Sequence, residues 1–163
     1  MDKKVIHFIS DSAKLGDNVT IWHFSYIGEN AEIGDNVTIG SLTHIDYDVK
    51  IGDDTKIQGS VYVSPKTIIG NNVFIGPGVI LTNDPYPPSN KIIGVKVEDY
   101  VVIGAGSIIK AGIRLGKNSV IAMGSIVTKD VPPNSVVMGS PAKKVYDRSI
   151  YDEKRSLWNN NTK

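Results

Sequence analysis

The stretch Ile27-Gly28-Glu29-Asn30-Ala31-Glu32-Ile33-Gly34-Asp35-Asn36-Val37-Thr38-Ile39 decides the fold. An isoleucine recurs every sixth residue. Glycine follows it, asparagine stands three places on, and a small or β-branched residue four places on. Worked outward, the same step gives Ile9, Leu15 and Ile21 upstream, and Ile45, Ile51, Ile57, Val63, Ile69, Ile75 and Leu81 downstream. It resumes at Val97 and runs through Ile103, Ile109, Leu115, Ile121 and Val127. A period of six is not the 3.6 of an amphipathic helix. Each unit makes one short strand and one sharp corner. Three places after the aliphatic stand Asn18, Asn30, Asn36, Asp48, Asp54, Asn72, Gly78, Gly106, Gly112, Asn118, Gly124 and Asp130. These residue types best tolerate a positive φ, so they mark the corners. If three units close a triangle, one coil takes 18 residues, and coils then stack at the strand spacing of about 4.8 Å. The expected architecture is an all-β parallel β-helix of about six coils, its aliphatics filling the prism and its backbone satisfied between neighbouring coils.

The period breaks between Leu81 and Val97. That interval leaves four residues beyond two hexads, and Pro85, Pro87 and Pro88 mark it as a loop over 82–96 that leaves the prism wall. Loops on rigid scaffolds are where function concentrates. Residues 18 apart should be vertical neighbours, so Thr82 stands over Ser64 and Asp46, Asn83 over Pro65 and Tyr47, and Asp84 over Lys66 and Asp48. That column suits a hydroxylated ligand. The β-helix should occupy 1–145, with 146–163 as a tail whose helix caps the open end through Ile150, Leu157 and Trp158.

Bulk composition excludes several function classes. The 163-residue chain carries a net charge of +1, which gives no pull toward nucleic acid or membrane. It has no cysteine, so disulfides, thiolate nucleophiles and cysteine metal sites are absent. No apolar run approaches the length of a membrane span, and the first residues lack a signal-peptide pattern. The expected location is the cytoplasm.

Nearly the whole chain resembles the hexapeptide-repeat acyltransferases. It is most similar to those that acetylate the 3-amino group of UDP- or dTDP-linked sugars. The resemblance is carried by Ile21-Trp22-His23-Phe24, Ile57-Gln58-Gly59-Ser60-Val61-Tyr62, Val73-Phe74-Ile75-Gly76-Pro77, Thr82-Asn83-Asp84-Pro85-Tyr86-Pro87, Thr128-Lys129-Asp130-Val131-Pro132 and Gly139-Ser140-Pro141-Ala142. Tyr26, the pair Gly59-Ser60, and Pro88 depart from the subgroup's pattern, which bears on the sugar more than on the reaction. The resemblance implies a triangular, left-handed prism, acetyl-CoA as co-substrate, no metal, and a homotrimer with sites between subunits.

The chemistry is attack of a neutral amine on a thioester, with an oxyanion to stabilise. Asn83 is expected to orient the amine and Asp84 to assist electrostatically. Asp46, Tyr47, Lys66, Tyr86, His23 and His44 are the expected sugar-binding residues. His23 and His44 stand too many coils from Asn83 to serve as its base within one chain. Coenzyme A is expected along the C-terminal coils, where Ala105, Gly106, Ala122, Gly124 and Ser125 leave the backbone accessible, with Lys129 and Lys143 meeting its phosphates. Three other readings remain. A sugar O-acetyltransferase would use a histidine base, a γ-type carbonic anhydrase would need three converging histidines, and a scaffold would bind no coenzyme.

Overall fold

A computed structural model describes residues 6–161. Three parallel sheets form three walls. Wall I stacks Phe8–Ile9, Tyr26–Ile27, His44–Ile45, Tyr62–Val63, Ile80–Leu81, Ile108–Ile109 and Ile126–Val127. Wall II stacks Lys14–Leu15, Glu32–Ile33, Lys50–Ile51, Ile68–Ile69, Lys96–Val97 and Arg114–Leu115. Wall III stacks Thr20–Ile21, Thr38–Ile39, Lys56–Ile57, Phe74–Ile75, Val102–Ile103 and Val120–Ile121, followed by Ser135–Gly139 and the antiparallel Ala142–Asp147. Residues 18 apart are vertical neighbours, as in His44↔Tyr62 and Tyr62↔Ile80.

The second residue of each two-residue strand points inward. Ile27, Ile45, Ile57, Ile75, Leu81, Ile103, Ile109 and Ile121 are essentially inaccessible. Burying each such side chain contributes roughly 1.5–3 kcal/mol. The fourth-place residues, among them Thr43, Thr55, Val61, Val73 and Val79, fill the inner corners.

The coil count is seven rather than six, because wall I holds seven strands and the last turn passes through a single bridge, Leu115↔Val131. The corner rule holds for Asn18, Asn30, Asn36, Asp48, Asp54, Asn72, Asn118 and Gly78, Gly106, Gly112 and Gly124, all at positive φ. Asp130 is not among the positive-φ residues; Asn134 turns the final corner. Phe24, Leu42, Ser60, Lys66 and Tyr100 adopt the same conformation, although their chemistry does not favour it. A bulky residue in that region costs roughly 1–2 kcal/mol, a cost accepted here because the stacked coils fix the backbone.

The interruption also differs from its reading. Ile68 pairs with Lys96 and Ile69 with Val97, a spacing of 28 shared by the other pairs that span the loop, where the coils before it use 18. Leu81 to Val97 is therefore one corner with ten extra residues, not two hexads and four. The tail is strand through Asp147, then helix α1 (Arg148–Asn160). Helix α1 lies beside wall III: Arg148 donates to the carbonyls of Asn118 and Tyr100, and Tyr151 lines a cleft with Val102, Val120, Met123 and Met138.

Candidate active site

The outward residue of each wall I strand forms a column: Phe8, Tyr26, His44, Tyr62, Ile80, Ile108 and Ile126. Its upper part is a ladder of rings. Phe8 and Tyr26 stack at 5.0 Å, Tyr26 and His44 at 4.5 Å, and His44 and Tyr62 meet at 5.5 Å. Asp46 closes the side of this ladder. Its Oδ2 accepts from the Tyr62 hydroxyl at 3.1 Å and lies 3.7 Å from His44 Nε2, while its Oδ1 accepts the Tyr47 N–H at 2.8 Å. Partial burial, then the Asp46 carboxylate, push the Tyr62 hydroxyl above the usual tyrosine range. The lower part of the column is aliphatic. Wall II is different: it carries Lys14, Glu32, Lys50, Lys96 and Arg114, with surface pairs such as Lys50–Glu32 at 3.0 Å. That is a solvated face.

Wall I has two edges, and the expected residues divide between them. At the I–II corner the structure stacks Asp46, Tyr47, Lys66, Asn83 and Asp84, with Tyr86 in the loop above Lys110 at 5.3 Å. Ser64 belongs to the same corner but is buried, its hydroxyl bonded to that of Thr67. The loop holds itself. Asp84 accepts from the N–H groups of Tyr86 and Ser89 and from the Ser89 hydroxyl, at 2.8–2.9 Å. Partial desolvation raises the Asp84 carboxyl, but these three bonds prevail and hold it below the usual range. The Asn83 carbonyl accepts the Ile93 N–H at 2.8 Å. Among the described residues the Asn83 carboxamide makes no hydrogen bond, so it is free to meet a ligand. Gly94 returns the chain against the Lys66 carbonyl, where a β-carbon would collide with backbone.

At the III–I corner the structure stacks Ala105, Gly106, Ala122 and Gly124 under Gly76, Pro77 and Gly78. Gly78, Gly106 and Gly124 all have positive φ, and an added β-carbon at any of them would meet nothing within 4 Å. The lower corner is thus a bare backbone ledge, three rungs high, with Met123 standing 79% exposed at its rim. Ser125 does not share this exposure. It is fully buried, donating to the Ala122 carbonyl at 2.6 Å, because fourth-place side chains turn inward. Lys143 pairs in register with Met138, which leads to the foot of the ledge. Lys129 follows Ile126–Val127 and stands at the opposite edge of wall I. His23 is also at the III–I corner, its Nδ1 accepting the Ile6 N–H at 3.3 Å, far from Asn83.

Phe8, Tyr26 and Tyr62, the rings stacked with the expected His44, were the residues that sequence reasoning missed. The 18-residue spacing of Phe8, Tyr26, His44 and Tyr62 was the available signal. No group of three or more histidine, aspartate or glutamate side chains among the described residues could hold a metal ion. No helix among them is long and apolar enough to cross a membrane.

A triangular stack of six-residue units with one excised loop defines a hexapeptide-repeat transferase. The bacterial transferase hexapeptide family (six repeats) matches residues 12–46 and 48–83, and the hexapeptide repeat of succinyl-transferase matches 92–129. The chain belongs to this left-handed solenoid family. Among its relatives, a 2,3,4,5-tetrahydropyridine-2,6-dicarboxylate N-acetyltransferase of Staphylococcus aureus (strain JH9) is 42% identical over 87 residues, 53% of this chain. The chain spans only 36% of that relative's length. Among solved structures, the polySia specific acetyltransferase NeuO matches with TM-score 0.63 and 26% identity, over 89% of this chain and 86% of that one. A hexapeptide-repeat containing acetyltransferase of Vibrio cholerae O1 biovar eltor, solved with acetyl coenzyme A, matches with TM-score 0.58 and 25% identity, over 80% of this chain and 71% of that one.

Proposed function

We propose that the protein is an acetyl-CoA-dependent N-acetyltransferase acting on the amino group of a nucleotide-linked sugar, in a ring of three identical chains. The observation that carries this reading is the division of the site across wall I. From Gly78 to Asn83 is five residues of nearly extended chain, at most about 17 Å. Gly78 and Asn83 flank the strand Ile80–Leu81, so the ledge and the loop of one chain stand at opposite edges of wall I. A contact that joins one edge of wall I to the opposite edge of the next copy closes a ring and makes equal sites. Loop and ledge then meet between subunits.

Pantetheine is an extended amide chain and suits a ledge of exposed backbone at Ala105, Gly106, Ala122 and Gly124. Lys143 meets the phosphates at the foot, and Lys129 of the neighbouring copy, which stands at the loop edge, reaches them across the junction. The thioester lies at the rung of Gly78, level with Asn83. The amine nitrogen attacks the thioester carbonyl carbon, the oxyanion collapses, and the carbon–sulfur bond breaks. The departing thiolate takes the amine proton. Asn83 orients the amine through its free carboxamide. Asp84 holds the loop and adds negative charge beside the developing ammonium. Asp46, Tyr47, Lys66, Tyr86 and His44 line the sugar side, with His23 of a neighbouring copy. Both substrates are cytoplasmic metabolites, which is the location this reading implies.

A second reading has its own observation. The His44–Asp46 contact is the arrangement that a hydroxyl-directed transferase would use as a base, and NeuO and a maltose O-acetyltransferase share the fold. Thiol release from acetyl-CoA, measured against matched amino and hydroxy nucleotide sugars, separates the two. The first reading expects turnover with the amine only, cut tenfold or more in Asn83→Ala, on the order of 1.4 kcal/mol. Turnover of the hydroxy sugar alone, abolished in His44→Ala, establishes the second.

A further inference from the structure

The III–I corner has one left-handed position per coil, and its occupants change abruptly down the prism. They are Phe24, Leu42 and Ser60 above, then Gly78, Gly106 and Gly124 below. Since a β-carbon at each lower position would stand in open space, the upper side chains at the same backbone angles stand outward too. Phe24 is 63% and Leu42 62% exposed. The groove over the bare ledge is thus open for three rungs, narrowed at Ser60 and blocked at Leu42.

Such residues are out of place on three counts. They are large, they are apolar and exposed, and they hold a conformation that glycine would adopt without strain. Packing within the chain does not explain them, since neither is buried in it.

We infer that Leu42 sets the length of acyl group the enzyme accepts. This rests on the reading that the ledge carries the pantetheine of coenzyme A. The direction of the coenzyme follows from two separated features. Lys143 stands at the foot of the ledge, by Met138, and Asn83 stands on the rung of Gly78, at its top. The phosphates therefore lie low, the thioester lies high, and the acyl chain points toward Ser60 and Leu42. Each rung is about 4.8 Å, a distance that an extended chain covers in about four carbon–carbon bonds of ~1.5 Å each. An acetyl group stops beneath Ser60. A butyryl group, with about three such bonds beyond its carbonyl carbon, ends just short of the Ser60 rung. An octanoyl group runs into the Leu42 side chain, two rungs above Gly78. Removing that side chain opens a further rung roofed by Phe24, an apolar surface suited to alkyl carbon.

The test is calorimetric titration of the intact protein with coenzyme A, acetyl-CoA and octanoyl-CoA, for the parent chain and Leu42→Gly. Glycine suits the φ of 61° at this position, so the variant retains its fold, and a thermal melt confirms it. The expected result is acetyl-CoA affinity unchanged within twofold and octanoyl-CoA affinity raised at least tenfold. Ser60→Leu should do the reverse, weakening butyryl-CoA at least fivefold and sparing free coenzyme A. If coenzyme A binds but Leu42→Gly leaves the acyl-length profile unaltered, the inference about Leu42 fails and the assignment of the ledge stands. If coenzyme A does not bind at all, both fail.

Discussion

Two corners of one prism share a backbone and little else. At the II–III corner the chain runs through Asn18, Asn36, Asp54, Asn72, Tyr100, Asn118 and Asn134, all at positive φ. Three of these steps are bridged by side chains: Asn18 donates to Asn36 and Asn36 to Asp54, each at 3.2 Å, and Asn118 to Asn134 at 3.0 Å. A second ladder runs beside it, in which Asp35, Asp53, Asn71 and Asp99 each accept a backbone N–H from the coil before, at 2.7–3.0 Å. That corner satisfies itself. Among the described residues the III–I corner has no such side-chain ladder: Phe24, Leu42 and Ser60 stand above and glycines below. Where a corner serves the fold alone, short polar side chains complete it. At the corner proposed to carry the coenzyme, those bonds are forgone and the backbone is left open.

The comparison breaks most visibly at Gly106. Gly106→Val should weaken coenzyme A at least a hundredfold, about 2.8 kcal/mol, and lower stability by roughly 1–2 kcal/mol because valine strains at that φ. Titration calorimetry and a denaturant melt measure the two separately. A loss of stability with full coenzyme affinity would make the ledge ordinary packing. The opposite pattern is expected at the self-bonded corner. Asp35→Ala removes the acceptor of the Asp17 N–H and should cost about 1 kcal/mol of stability, with kcat/KM unmoved.

The smallest effect concerns pH. The folded Asp84 carboxyl is depressed relative to the unfolded chain, so its contribution to the loop is present above the ordinary aspartate value, about 3.9. It is lost as the pH falls through the lower folded value. As the pH falls below about 4 the Tyr86 and Ser89 amides, which donate to Asp84, should progressively lose hydrogen-exchange protection while far-UV dichroism still reports the prism. Asp84→Asn, which cannot titrate, should show protection factors that do not change over the same range.

The period in the sequence was enough to assign the inward positions and most corners, because stacking leaves one aliphatic and one turn per six residues. It was not enough for what stands at those turns. Once coils above and below fix a backbone angle, even Phe24, Leu42 and Tyr100 can occupy it, so no residue preference announces them. The last turn was misread at Asp130 because a bridge at Val131 replaces the regular strand there. On the candidate site, the stacking of Asn83 above Tyr47's column could be read directly from the spacing, and so could the run of small residues from Ala105 to Gly124. Which way a small side chain turns could not: Ser125 faces inward while Gly124, one residue earlier, faces out. Nor could the placing of Lys143 and Lys129 at opposite edges, since that depends on a hairpin formed after the repeat has ended.

The loop at the I–II corner has one more implication. Ile69 rests on Val97 in the same register by which Ile51 rests on Ile69, although ten additional residues intervene. The stack above and below does not sense how much chain departs and returns between Leu81 and Val97. That segment is an interchangeable cassette: its length and chemistry can change, or be replaced wholesale, on a frame that need not be redesigned.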